Sequence, residues 1–387
     1  MTAVSELRPY PFEPFNGDLP AELIDMVESN PISRVLLPDG RPAWMVLSYE
    51  HCRALLSDPC FARQHVGRAK PGAGEPRDLS MDGPPHTAVR SVAMRFLTAR
   101  RIEEYRPLVK RLTNELIDDM IAGPPPADLV SALVAPLPVR VICAVLGVPE
   151  SDRERLYGWI KELNSIVEHG SQSAVQARAQ FTDYLTGQLA AKRARPADDL
   201  ISSWIAGGHD LTDTELVELA MGILLGGLEV NSISAGLRAL FQHPGQLAKL
   251  RAAPEKMLSA TEEILRYTTV SSMGKVLIVV TDTELGGVAM RAGDYVMAMT
   301  ATADRDPRAF AEPNVFDIDR VSAVPHLGFG HGPHSCLGRS VGKLQVEVAI
   351  GTLLGRLPGL APAVPLEDIP WRHDRINCGI DSFPVTW

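Results

Sequence analysis

Phe329-Gly330-His331-Gly332-Pro333-His334-Ser335-Cys336-Leu337-Gly338 is the stretch on which the fold turns. Three glycines and a proline within ten residues force a tight loop, because glycine reaches backbone angles closed to other residues and proline locks one. The loop delivers Cys336 to the head of an apolar segment, Leu337 to Leu357, which reads as a helix. A thiol placed there meets unpaired amides and the positive end of the helix dipole, so its thiolate is favoured. Two plainer readings compete. A buried structural cysteine leaves the glycines around Cys336 unexplained. A zinc site built from His326, His331, His334 and Cys336 has the spacing H-x4-H-x2-H-x-C, which matches no common zinc pattern.

The segment resembles the haem-binding signature of the cytochromes P450, FxxGx(R/H)xCxG, at every fixed position. Other motifs follow in the same order. Glu263-Ile264-Leu265-Arg266 resembles the ExxR motif, with Glu and Arg on one helix face. Arg320, after Phe316-Asp317-Ile318-Asp319, resembles the third member of that ion network, which in the family is structural rather than catalytic. Pro85-His86 with Arg90 is similar to the helix that places His and Arg on the haem propionates. The resemblance spans essentially the whole chain. It implies a mainly α fold with a small β part, and haem b between the long central helix and the helix of the cysteine loop. It also implies one domain over residues 1–387, with a minor β-rich part near 33–48 and 275–300. Cys336 is then the iron ligand. Phe329, Gly330 and Gly338 shape its loop, Gly338 letting the backbone approach a flat macrocycle, while His334, His86, Arg90 and Lys275 face the haem carboxylates. Lys275 stands where the family commonly offers arginine; lysine still pairs with a carboxylate, but as a point charge, and a solvent-facing role is the alternative.

Patterning agrees with that picture. Ser33 to Leu37, Pro38-Asp39-Gly40 and Ala43 to Leu47 predict a β-hairpin. Apolar residues then recur at helical spacing, as in 102–121 and 153–191. Thr212-Asp213-Thr214-Glu215 is a capping box opening a helix that runs to Gln242, about 45 Å at 1.5 Å per residue. Helices over 244–253 and 254–267 follow, then a strand-like stretch over 276–300 and an irregular one over 302–335.

The long helix is where the chain departs from the family, which usually reads (A/G)Gx(D/E)T. Here the residues are Gly226-Gly227-Leu228-Glu229-Val230-Asn231. The two glycines weaken the helix by about 1 kcal/mol each relative to alanine, which suits either access for oxygen or close helix packing. Glu229 fits the acid position, with a surface or a salt-bridged residue as the alternative. Val230 replaces the threonine whose hydroxyl orders the proton-delivering water, and an isopropyl group cannot donate. Asn231 lies about 100° further round the helix and is no obvious substitute.

The net charge of −9 argues against nucleic acid or anionic lipid as partner. Residues 1–20 lack the basic and apolar regions of a signal peptide, and the apolar stretch 129–148 is interrupted by Pro136, Pro138 and Arg140, so a cytoplasmic, non-membrane enzyme is expected. Neither a GxGxxG turn nor iron–sulfur cysteine spacing is present, which implies ferredoxin and ferredoxin reductase as electron-supplying partners. By position in the family, residues 63–76, 224–231, 270–273 and 380–382 line the pocket for a small-molecule or peptide substrate; Gln64, His65 and Arg68 suit a polar one. In the family this chain resembles, members that lack the threonine are often enzymes of natural-product assembly. Oxidative coupling of aromatic rings in a cyclic dipeptide or peptide is therefore open, beside ordinary hydroxylation or epoxidation. An O2-independent haem-thiolate isomerase or dehydratase and a non-enzymatic haem sensor are the rivals from other classes.

Overall fold

In a computed structural model, the structure describes residues 7–12, 16–63, 76–164, 171–227, 231–268, 274–372 and 379–387. The chain divides into two compact units. One comprises Met1–Ala73, Arg238–Cys336 and Asn377–Gly379; the other comprises Gly74–Leu237, Leu337–Ile376 and Ile380–Trp387.

The first unit is built on a five-stranded sheet in the order Ile32–Leu36, Pro42–Val46, Tyr295–Ala298, Lys275–Val279, Phe61–Ala62. The expected hairpin forms, antiparallel from Ile32 opposite Val46 to Leu36 opposite Pro42. Its second strand then pairs in parallel with Tyr295–Ala298, some 250 residues away in sequence. Side chains alternate across the sheet with period two. Met45 and Met297 pack on one face with Val35 and Leu47, and Val46, Val296 and Ala298 on the other with Leu277, Phe310 and Leu327. Lys275 opens its strand directly after Gly274, which has φ +63 and whose added Cβ would lie 2.6 Å from the Ala298 carbonyl oxygen. Only glycine admits the strand there, so the sheet fixes where Lys275 emerges. The strand-like run expected to reach residue 300 ends at Ala298, and Thr300–Ala303 turns helical.

The second unit is mainly helical. Arg106–Ile121 buries Val109, Leu112, Thr113, Leu116, Ile117 and Met120, the i, i+3, i+4 stripe of an amphipathic helix. That helix packs on Arg339–Arg356, and Arg106 reaches Glu347 at 2.8 and 3.0 Å. The final helix begins at Arg339 with Gly338 as its cap, two residues later than expected, so a short turn separates Cys336 from the first helical residue. The helical pattern over 153–191 resolves into Arg153–Asn164 and Gln172–Ala194. The central segment is helical over Asp213–Gly227 and again over Ser232–Gln242. By length and composition Asp213–Gln242 would suffice to cross a membrane, but 60% of its most apolar window is buried, as in a core helix.

The capping box forms reciprocally. The Thr212 N–H donates to Glu215 Oε2 at 2.8 Å, and the Glu215 N–H donates to Thr212 Oγ1 at 3.3 Å. The sequence did not reveal that Arg77 would clamp the same carboxylate, through Nε at 2.6 Å and Nη2 at 3.0 Å, and reach Asp210 at 3.0 Å. Arg77 holds the Glu215 pKa down to about 2, against an ordinary 4.5. A depressed carboxylate stabilises the fold above its unfolded pKa and loses that contribution as pH falls towards the folded value. Arg77→Ala should therefore cost about 2–3 kcal/mol at neutral pH, with the deficit about half gone near pH 3. Urea denaturation of both proteins across that range checks it; a pH-independent difference would count against the clamp.

Candidate active site

The cysteine loop belongs to the first unit and is held by its own backbone. Leu327 C=O accepts from the Gly330 N–H at 2.7 Å, Gly332 C=O from Ser335 at 3.1 Å, and Phe329 C=O from Cys336 at 2.8 Å. Gly332 has φ +69, and a Cβ on it would lie 2.1 Å from the Leu56 carbonyl oxygen, so no side chain fits. The result is an exposed Cys336 in a constrained loop. Cys52 and Cys143 are buried, and burial pushes both thiols up, Cys143 to about 11.

Lys275 belongs to the same site. It is exposed, yet the protein crowded round its ammonium lowers its pKa, the like charge of Arg63 lowers it further, and Cys336 pulls the other way. The charge of Cys336 is thus felt at the Lys275 ammonium. Among the described residues no carboxylate forms an ion pair with it. His334 is half-buried in the loop, and Phe329 packs its ring 6.0 Å from that of His326.

Behind the loop lies the ExxR network. Glu263 receives Arg266 through two 2.8 Å bonds and Arg320 Nε at 3.0 and 3.1 Å, with both ExxR side chains 2% exposed. Arg266 also donates to the carbonyls of Asp304, Pro313 and Val315. Every donor is engaged by the fold, which fits the structural role expected of the motif.

In the second unit, helix Gly83–Met94 carries buried His86 and, one turn on, half-buried Arg90. The two central glycines differ. A Cβ on Gly227 would lie 3.2 Å from Ile142 Cγ1, so this glycine permits helix packing, whereas one on Gly226 would meet nothing within 4 Å. Glu229 and Val230 lie outside the described residues, as do residues 64–75, 228 and 269–273. Asn231 is buried, and its Oδ1 accepts from Arg372 Nη2 at 3.0 Å, tying its amide to the C-terminal β segment. Gly338 would likewise leave a Cβ with nothing within 4 Å.

These residues fit haem. The exposed thiol in its constrained loop would hold the iron, and a lysine crowded by protein without a carboxylate partner would suit an anionic edge. The zinc alternative lacks its geometry: among the described residues no three His, Cys, Asp or Glu side chains converge as a metal-binding group.

The sequence model of the cytochrome P450 family matches residues 155–361. Nocardicin C N-oxygenase of Nocardia uniformis subsp. tsuyamanensis is 38% identical, over 99% of each chain. The chain is a cytochrome P450. Two solved structures of the family extend the likeness to the whole fold. The LnmA P450 hydroxylase of the leinamycin pathway of Streptomyces atroolivaceus S-140 superposes with a TM-score of 0.89 at 36% identity, covering 98% of this chain and 100% of the other. P450mel 107F1, described as having biaryl coupling reactivity, gives 0.87 at 33%, again over 98% and 100%. The P450 fold, haem b as cofactor and a monooxygenase-type oxidoreductase activity follow from membership. Sequence reasoning missed Asp304, Arg77 and Arg372; the only trace of the first was a charged triplet, Asp304-Arg305-Asp306, between apolar neighbours.

Proposed function

We propose that this P450 is a cytoplasmic natural-product oxygenase, one P450 domain over the 387 residues, drawing electrons from a ferredoxin and its reductase. The observation that carries this reading is the exposed Cys336 thiol in its constrained loop beside Lys275. When bound, haem supplies O2 activation and one-electron oxidation of the substrate. The chain's own residues bind and steer. Cys336 is the thiolate ligand, favoured by the helix start that follows it. His86, Arg90, His334 and Lys275 hold the haem carboxylates, with Phe329, Gly330 and Gly338 shaping the approach. Gly226, with open space where a Cβ would stand, leaves room for oxygen, and Glu229 handles protons. Asn231 is engaged by Arg372 and so positions the helix rather than replacing a threonine hydroxyl.

Oxygen insertion into a small-molecule or peptide substrate is the first reading, in keeping with the N-oxygenase and hydroxylase relatives. A second is favoured by Val230, which cannot donate the hydrogen bond that orders delivery of protons, together with the 33% identity to a P450 with biaryl coupling reactivity. On that reading the product is a coupled aromatic ring pair in a cyclic dipeptide or peptide, with no oxygen gained.

A spectral titration separates them at the substrate. Aromatic cyclic dipeptides and Tyr/Trp peptides are run against terpenoids, fatty acids and macrolides, reading the shift of the ferric haem from low to high spin. Turnover of the responding ligand under isotopically labelled O2 then decides the reaction. Label in the product supports insertion, and loss of two hydrogens without label supports coupling. Turnover without any electron supply would instead remove both in favour of an isomerase.

A further inference from the structure

Asp304 is 1% exposed and lies in none of the roles assigned above. Its Oδ1 accepts the Leu327 N–H at 2.6 Å. Leu327 is 1% exposed and stands at the root of the cysteine loop, where its own carbonyl receives the Gly330 N–H at 2.7 Å. The residue before Gly330, Phe329, offers its carbonyl to the Cys336 N–H at 2.8 Å. The Asp304 side chain is thus joined to the Cys336 peptide by three hydrogen bonds in series. On its other side, the Asp304 carbonyl receives Arg266 Nη1 at 2.8 Å, so the ExxR network grips the same residue.

A carboxyl so deeply buried is costly to keep. Burial pushes its pKa well up, opposed by the Leu327 amide and then by the charges of Arg266 and Arg305. Packing alone would be served better by an apolar side chain of similar volume. What an apolar residue cannot do is satisfy the Leu327 amide, and a buried N–H without a partner is held only weakly in place.

We propose that Asp304 is a positioning residue for thiolate ligation: by accepting the Leu327 amide it fixes the root of the Cys336 loop, and through it the seat of the sulfur on the iron. The acceptor oxygen is the working part, so asparagine can replace aspartate and alanine cannot. This rests on Cys336 being the iron ligand, as read above.

The test compares haem-loaded wild type, Asp304→Asn and Asp304→Ala by their ferrous–CO spectra over time, with thermal stability recorded alongside. Wild type must first show the thiolate-ligated band; without it the ligand reading fails, separately from this one. Asp304→Ala is expected to convert to the form lacking thiolate roughly tenfold faster than wild type or more, and Asp304→Asn within about twofold. An alanine variant of lowered stability but unchanged conversion overturns the proposal, and so does an asparagine variant as impaired as alanine. If the alanine variant does not fold, hydrogen exchange at the Leu327 amide of the wild-type holoenzyme decides. Protection equal to that of helix Met257–Tyr267 supports the anchor, and exchange at the rate of exposed loop amides overturns it.

Discussion

Replacing Cys336 by serine is expected to remove the thiolate-ligated ferrous–CO band and to lower turnover by at least about 10³-fold, roughly 4 kcal/mol in the barrier. The fold should survive. Cys336 is exposed, serine matches its size, and the loop is held by backbone bonds from Leu327 to Cys336 in which the sulfur takes no part. The melting temperature of the variant without haem should therefore stay within a few degrees of wild type, about the effect of 1 kcal/mol or less. Activity and ligation fail for a different reason. A serine hydroxyl stays protonated near neutral pH and gives iron little electron density, whereas a thiol is intrinsically far more acidic and its thiolate a stronger electron donor. The other described cysteines are poor deputies. Burial raises the thiols of Cys52 and Cys143, and the Asp58 carboxylate raises that of Cys60. Survival of the thiolate band in Cys336→Ser would move the ligand elsewhere and undo the assignment.

Most of this arrangement was legible in residue order because the chemistry is local. A loop with glycine at 330, 332 and 338 around a cysteine needs no tertiary knowledge to be read as tightly constrained, and a Thr212–Glu215 capping box closes within four residues. What escaped depends on partners distant in sequence. Nothing near residue 43 announces that its strand will pair in parallel with one beginning at residue 295, because pairing is chosen by the packing of both faces. Arg77 and Glu215 are 138 residues apart, and Asp304 acts on an amide 23 residues ahead; neither distance has a periodic signature. The glycine pair shows the same limit from the other side. Gly226 and Gly227 are adjacent and chemically identical, yet only the second faces Ile142. Helix phase relative to a neighbour separates a packing glycine from an open one, and sequence carries no such reference.

The second large effect is expected at Glu263, and its size follows from what the carboxylate neutralises. Glu263 receives Arg266 and Arg320 and also the Asp317 N–H at 2.9 Å. Those two guanidiniums in turn bind the carbonyls of residues 304, 311, 312, 313 and 315, so they tie down the stretch that leads into the cysteine loop. Glu263→Ala leaves two cations in a site where the acid was 2% exposed, and removing one partner of a buried network costs about 3–5 kcal/mol. For a fold with about twice that margin, haem loading at growth temperature should fall to a small fraction of wild type. Glu263→Gln should lose less, because one oxygen still accepts, but its amide N–H2 now faces a guanidinium. Replacing Glu263, Arg266 and Arg320 together by methionine removes the unpaired charges with the pair, so the triple variant should be more stable than Glu263→Ala although it lacks every ion pair. Its haem affinity should not recover with its stability, because the carbonyls at residues 304 to 315 have lost their donors. Urea denaturation and haem content, measured on the three variants, separate the two effects. Equal stability for the single and triple variants would mean that charge burial does not set the cost, and that the network holds the loop by packing alone.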